Sequence, residues 1–307
     1  MSHVGDMTAP SGSTPALGTP EGLEAAKAHA REVVDRSGTS FGPGMRILSR
    51  PRREAMFAVY AFCREIDDIA DEGGTREEKQ AGLAAWRDEI DRLYAGRPQR
   101  PTGVALAPAV EGFALEKQEF ILLIEGMEMD ANGPIQAPSM DTFFAYTRRV
   151  AGAVGRLSMP IFGAAPGAAS DAFALSLADA FQITNILRDI REDAEDDRLY
   201  LPKELLEAAG IAETSPRAVS VHPNLPKVGE ALGRIAREKF DEARRQIAPL
   251  GRRNVRPALV MMGVYETYLR TMEARGWART GEPVTLPKWR KLAAGLRYAV
   301  APPGASG

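Results

Sequence analysis

Two stretches of this chain place acidic residues at the spacing of a single helix face, and they constrain the fold more than any other feature. One reads Tyr60-Ala-Phe-Cys-Arg64-Glu-Ile-Asp67-Asp68-Ile-Ala-Asp71-Glu72, the other Gln182-Ile-Thr-Asn185-Ile-Leu-Arg188-Asp189-Ile-Arg-Glu192-Asp193. Residues four apart share a helix face. Asp67 and Asp71 therefore point one way, and Asn185, Asp189 and Asp193 form a second line. Like charges at that interval repel and weaken the helix that carries them. The first stretch is also apolar on one side, through Met56, Val59, Tyr60, Cys63 and Ile66, which fits a helix packed into a core. Two such acidic lines facing each other need positive charge between them. Hard divalent cations holding a diphosphate meet that need.

The remaining patterning is helical almost throughout. The spacing predicts helices near 21–35, 52–71, 75–95, 102–114, 117–130, 140–163, 170–195, 202–209, 225–247 and 254–275. Thr75 and Glu78 have the spacing of a capping box for the third of these. Alternating β-branched runs are nearly absent, and most Gly and Pro residues fall between helical windows. Residues 1–20 are rich in Gly, Ser, Thr and Pro and read as a disordered leader. One all-helical domain over 21–300, with a flexible tail at 301–307, is the simplest account.

Composition narrows the chemistry by exclusion. The net charge is -2 over 307 residues, so there is no global electrostatic case for binding nucleic acid. The single cysteine, Cys63, rules out a disulfide within the chain and leaves a thiolate metal site short of ligands; the cytosol is the natural compartment. His3, His29 and His222 all lie outside the acidic helices, which removes the Glu-x-x-His pairs of di-iron bundles and the histidines of a zinc hydrolase. A phosphate-binding Gly loop and a dinucleotide fingerprint are also missing, so NADPH is not expected. No apolar run is long enough to span a bilayer, although a peripheral contact needs only a modest apolar or basic patch.

The neighbours of the acidic residues suit a diphosphate site. Arg64 and Tyr60 share the face of Asp67. Gln182 and Asn185 precede Asp189. An arginine fork matches phosphate oxygens, and tyrosine and amide groups add neutral hydrogen bonds. In Tyr146-Thr-Arg-Arg149-Val-Ala-Gly152-Ala-Val-Gly155, two glycines interrupt a helical pattern at a cost in stability. Either helices pack very closely there, or room is left for a long apolar ligand.

Together these residues resemble the squalene/phytoene synthase family from about Ala26 to Arg297. The resemblance is carried by the two acidic motifs, by Tyr146 to Gly155 and by Arg198-Leu-Tyr200-Leu-Pro202. It implies an all-α isoprenoid-synthase (terpenoid-synthase) fold with a central cavity. It further implies Mg²⁺-dependent head-to-head joining of two prenyl diphosphates, with Mn²⁺ an acceptable substitute. By position, Asp67, Asp68 and Asp71 would serve the metal cluster on one wall, and Asn185, Asp189 and Asp193 on the other. Tyr60, Arg64 and Gln182 would contact diphosphate, Tyr146 would sit near the reacting carbons, and Ser40 would lie by the phosphate-side entry. Glu125-Gly-Met-Glu-Met-Asp130, Gly133-Pro-Ile-x-Ala-Pro138 and His222-Pro-x-Leu-Pro226 resemble the bacterial branch that forms presqualene diphosphate for hopanoids. Expected partners are farnesyl diphosphate, diphosphate, downstream isoprenoid enzymes and a peripheral contact at the inner face of the cytoplasmic membrane. Two other readings stay open: a phytoene synthase acting on two geranylgeranyl diphosphates, and a non-catalytic helical isoprenoid-binding protein.

Overall fold

The computed structural model describes residues 19–39, 41–71 and 73–301. Among them there is no β-sheet, only an isolated bridge between Gln136 and Leu199; the fold is all-α. The first half contains α1 (Pro20–Ser37), α2 (Gly42–Arg46), α3 (Arg50–Asp71), α4 (Arg76–Tyr94), α5 (Pro101–Phe113), α6 (Lys117–Ala131) and α7 (Met140–Thr147). A π-helical turn, Arg148–Gly152, joins α7 to α8 (Ala153–Phe162). The second half contains α9 (Ala168–Glu195), α10 (Lys203–Ala208), α11 (Pro216–Ser220), α12 (Leu225–Arg245), α13 (Ile247–Leu250), α14 (Arg256–Arg275) and α15 (Lys288–Val300).

Local chemistry sets the ends of several of these helices. The Thr75 hydroxyl accepts from the Glu78 N–H at 3.2 Å, and the Glu78 carboxylate accepts from the Thr75 N–H at 2.7 Å. That reciprocal pair is the capping box expected from the spacing. Thr19 caps α1 by accepting from the Gly22 N–H at 3.1 Å, and α1 stops at Gly38, whose φ of 59° suits a residue without Cβ. The short α2 begins inside the segment read from sequence as a break, 37–44, and runs on to Arg46. The span 140–163, read as one helix, is continuous but wound one residue wider at Arg148–Gly152.

Two apolar clusters flank a central cavity. One joins α1 and α3 to α6, where the Phe62 ring meets Trp86 and Phe120 edge-on at 5.2 Å each. The other joins α9, α12 and α14 through Phe173, Phe240, Met262 and Leu269. Phe41, Val150 and Phe162 pack against both. The cavity between them has a volume of about 270 Å³ and is walled by α3 (Met56, Val59), α8 (Val154), α9 (Phe173, Leu177) and α14 (Met261).

The glycines at the π turn answer the question left open by the sequence. A Cβ on Gly126 of α6 would sit 2.7 Å from Val150 Cγ1, and one on Gly155 would sit 3.1 Å from the Ala174 carbonyl oxygen of α9. Gly155 also lines the cavity. At Gly155, close helix packing and space for an apolar ligand are therefore met by one residue.

Candidate active site

Helices α3 and α9 each send residues to one polar end of the cavity. Tyr60 and Cys63 of α3 and Gln182 and Asn185 of α9 are part of its lining. Asp67 lies four residues beyond Cys63 and Asp189 four beyond Asn185, so the acidic lines continue the cavity walls by one helical turn. Cys63 contributes an apolar wall: its thiol is pushed up to about 12, chiefly by burial and then by Asp67, which keeps it protonated.

On α3, Arg64 spans two carboxylates. Its guanidinium donates to Asp67 Oδ2 at 3.2 Å and also pairs with Asp68. Asp68, which projects away from the Asp67–Asp71 line, is thus drawn back into the same charge group. Asp71 accepts from Arg198 at 2.6 Å. On α9, Arg188 donates twice to Asp189, at 2.7 and 2.6 Å, and lies over the Tyr268 ring at 5.2 Å. Glu65 turns elsewhere, accepting from Thr102 and meeting His29 Nε2 at 2.9 Å.

These arginines do not neutralise the site. The Asp67 carboxyl is pushed up to about 6, first by burial and then by Asp71, against the pull of Arg64. The Asp193 carboxyl is pushed up to about 7, first by burial and then by Asp189, against the pull of Arg198. Burial in a low dielectric and a like charge nearby both disfavour an ionised carboxylate. Asn185 Oδ1 is buried without a hydrogen-bond partner. Among the described residues no three His, Cys, Asp or Glu side chains converge as a ready cation cage. Arginines hold Asp67, Asp71 and Asp189 apart from such an arrangement.

The sequence assigned no role to Asp130, Arg198 or Tyr200, which with Tyr146 join the two walls. Asp130 of α6 accepts from the Tyr146 and Tyr200 hydroxyls at 3.0 Å each, and the two rings stack 5.3 Å apart. Arg198 acts electrostatically on Asp71, Asp130, Asp193 and Tyr200. One guanidinium therefore stands among carboxylates from α3, α6 and α9. Asp130 and Arg198 both lie in stretches that carry the family resemblance, but neither shows the repeated helical spacing that exposed the acidic motifs. Tyr146 is buried at this group and is not part of the cavity lining. Its hydroxyl is held well above the ordinary tyrosine range, by burial first and Asp130 second. Ser40 lies outside the described residues.

The family model described as squalene/phytoene synthase matches residues 34–290. The chain is 45% identical over 263 residues to a presqualene diphosphate synthase of Rhodopseudomonas palustris, covering 86% of this chain and 94% of that one. It is 42% identical over 277 residues to a presqualene diphosphate synthase of Sinorhizobium fredii, covering 90% and 98%. A chloroplastic phytoene synthase of Narcissus pseudonarcissus is 30% identical over 268 residues, covering 86% of this chain and 63% of that one. Among solved structures, a dehydrosqualene synthase superposes with a TM-score of 0.78 at 24% identity, covering 90% of this chain and 96% of that one. A squalene synthase from Alicyclobacillus acidocaldarius gives 0.74 at 25% identity, covering 84% and 97%. With its acid-bearing helices, central cavity and family match over most of its length, the chain belongs to the squalene/phytoene synthase family.

Proposed function

We propose that this protein joins two farnesyl diphosphates head to head, forming presqualene diphosphate and releasing one diphosphate. The observation that carries the reading is the pair of acidic helices, α3 and α9, at the polar end of a single apolar cavity. The near-full-length likeness to two presqualene diphosphate synthases supports this substrate and product. The phytoene synthase likeness is weaker.

The residues present fit a hard divalent cation. The donors are all oxygen, two of the carboxyls are pushed up first by burial and then by a neighbouring carboxylate, and the Asn185 side-chain oxygen is buried without a partner. Asp67, Asp68 and Asp71 would hold Mg²⁺ (or Mn²⁺) from α3, and Asn185, Asp189 and Asp193 from α9. When bound, the metal would supply Lewis-acid charge to the departing diphosphate. Family membership implies this metal dependence. With diphosphate bound, Arg64 would offer its fork to phosphate oxygens, and Tyr60 and Gln182 would add hydrogen bonds to the same group.

The donor's C1–O bond breaks and its electron pair leaves with the diphosphate. The allylic cation is attacked by the double bond of the second farnesyl group. Loss of a proton closes the cyclopropane, and the second diphosphate stays on the product. The apolar walls exclude the water that would quench the cation. Tyr146 remains a neutral phenol, donating to Asp130. It positions its neighbours as a hydroxyl, and the departed diphosphate is the stronger candidate to take the proton. A cytoplasmic enzyme at the inner face of the membrane suits an insoluble product, and among the described residues no helix is long and apolar enough to cross a bilayer.

The test is product identification after incubation with farnesyl diphosphate and Mg²⁺ without NADPH. Presqualene diphosphate is expected, and added NADPH should change nothing. Squalene made with NADPH would overturn the stopping point, and turnover only with geranylgeranyl diphosphate would overturn the chain length.

A further inference from the structure

Among the described residues, four of the six exposed large apolar side chains lie on one helix. In α15, Trp289, Leu292, Leu296 and Val300 are 71%, 57%, 57% and 70% exposed. Their intervals of three, four and four residues put them on one stripe, roughly 80° wide at 100° per residue. The stripe points away from the protein, because Gly295 and Tyr298 occupy the opposite, buried face.

That helix is fixed to the wall of the cavity. A Cβ on Gly263 of α14 would lie 2.6 Å from the Ala294 carbonyl oxygen, and one on Gly295 would lie 2.9 Å from Val260 Cγ1. The Tyr298 hydroxyl donates to the buried Glu266 carboxylate and accepts from Arg270 at 3.1 Å. Met261 and Tyr265, from the same helix α14, line the cavity. Helix α14 therefore stands between α15 and the apolar cavity.

The charges around the stripe have one sign. α15 holds Lys288, Arg290, Lys291 and Arg297 and no acidic residue. Arg290 and Arg297 flank the stripe on one side and Lys288 on the other. Arg252 reaches the Val300 carbonyl and adds a further cation at that end. An apolar stripe with an aromatic residue and basic flanks is the pattern of a helix lying in a lipid headgroup region. Acidic residues would be expected in the rim if a second copy of this mildly acidic chain were to cover it.

We infer that α15 is a monotopic docking helix that seats the protein on an anionic bilayer, with Trp289, Leu292, Leu296 and Val300 in the acyl boundary and the basic residues on headgroups. The seating turns the α14 wall of the cavity toward the lipid. It deepens the membrane setting proposed above, but it is read without turnover, so its failure leaves the condensation reaction untouched.

The experiment floats the purified full chain with vesicles of phosphatidylcholine alone or mixed with phosphatidylglycerol. Binding is expected to the mixed vesicles and to weaken with salt. Leu292→Glu with Leu296→Glu should lower the bound fraction about tenfold or more. Its circular dichroism and its turnover of detergent-dispersed farnesyl diphosphate should stay unchanged, since neither side chain touches the cavity. Arg290→Gln with Arg297→Gln should give a smaller loss and a flatter salt dependence. Trp289→Ala, which removes only an exposed ring, should lose binding several-fold and serves if the double glutamate variant does not fold. Wild-type flotation by either apolar variant would overturn the inference. So would a wild-type dimer that binds no vesicles and dissociates in the glutamate variant, because the stripe would then belong to a second copy.

Discussion

Glu266 and Asp193 both sit inside this helical bundle, in surroundings built on opposite principles. Glu266 is fully buried between α12, α14 and α15, where Arg244, Arg270 and the Tyr298 hydroxyl all meet its carboxylate. Its charge is balanced within the fold. Asp193 lies beside Asp189 at the end of α9, and the one arginine pulling on it, Arg198, is shared with Asp71 and Asp130. Its charge is left for something else to balance. A buried ion pair with every partner present is structural. A cluster of carboxylates pushed up by burial and then by one another marks a place where a cation belongs.

The largest effect that can break this comparison is on turnover. Asp67→Ala or Asp189→Ala should lower kcat by roughly 10³-fold or more, while thermal unfolding stays level or improves because like-charge repulsion is relieved. Near-normal rates in both variants at limiting Mg²⁺ would show that the two walls do not act together. In the balanced region the effect should fall on stability instead. Glu266→Gln removes the fully buried counter-ion of Arg244, leaving that guanidinium only Asp241, and should cost about 3 kcal/mol in urea unfolding. Its kcat, measured well below the unfolding transition, should change little; a large kcat loss in fully folded protein would join the two regions functionally.

The smallest effect concerns pH. The Asp67 and Asp193 carboxyls stand at about 6 and about 7 in the fold, above the ordinary value near 4. Between those limits the folded protein holds more protons than the unfolded chain. The stabilising contribution is full below the unfolded value and is lost as pH rises through the folded ones. Without divalent cation, the melting temperature should therefore decline from about pH 4 to about pH 7 by this contribution. Asp193→Asn should flatten part of the decline, and so should Mg²⁺ with diphosphate. A slope unchanged by either would assign the pH dependence to other groups.

Sequence carried most of the architecture because the major helices bury apolar faces at regular intervals. The windows at 117–130 and 170–195 lie within two residues of α6 and α9. What escaped followed from the same physics. α15 buries only Gly295 and Tyr298, so its periodic apolar residues face outward and no inward stripe announced it. The π turn at Arg148–Gly152 leaves no separate spacing signal, since the helix continues on both sides. Asn185 and the acidic lines could be read because residues four apart stack on one face. Asp130 comes from α6 and Arg198 and Tyr200 from the segment after α9, so they meet only after folding.

The contact of Gly155 with Ala174 has a consequence for how the cavity can evolve. Most pockets are widened or narrowed by exchanging one lining side chain for another. Here the α8 backbone touches the α9 backbone, with 3.1 Å from a hypothetical Cβ to the Ala174 carbonyl oxygen. Even an added Cβ would have to shift α8 against α9 by a few tenths of an ångström, and α9 carries Asp189 and Asp193. The gauge of the tunnel and the alignment of the acidic wall are set by the same seam, so a change in bore would also move the chemistry.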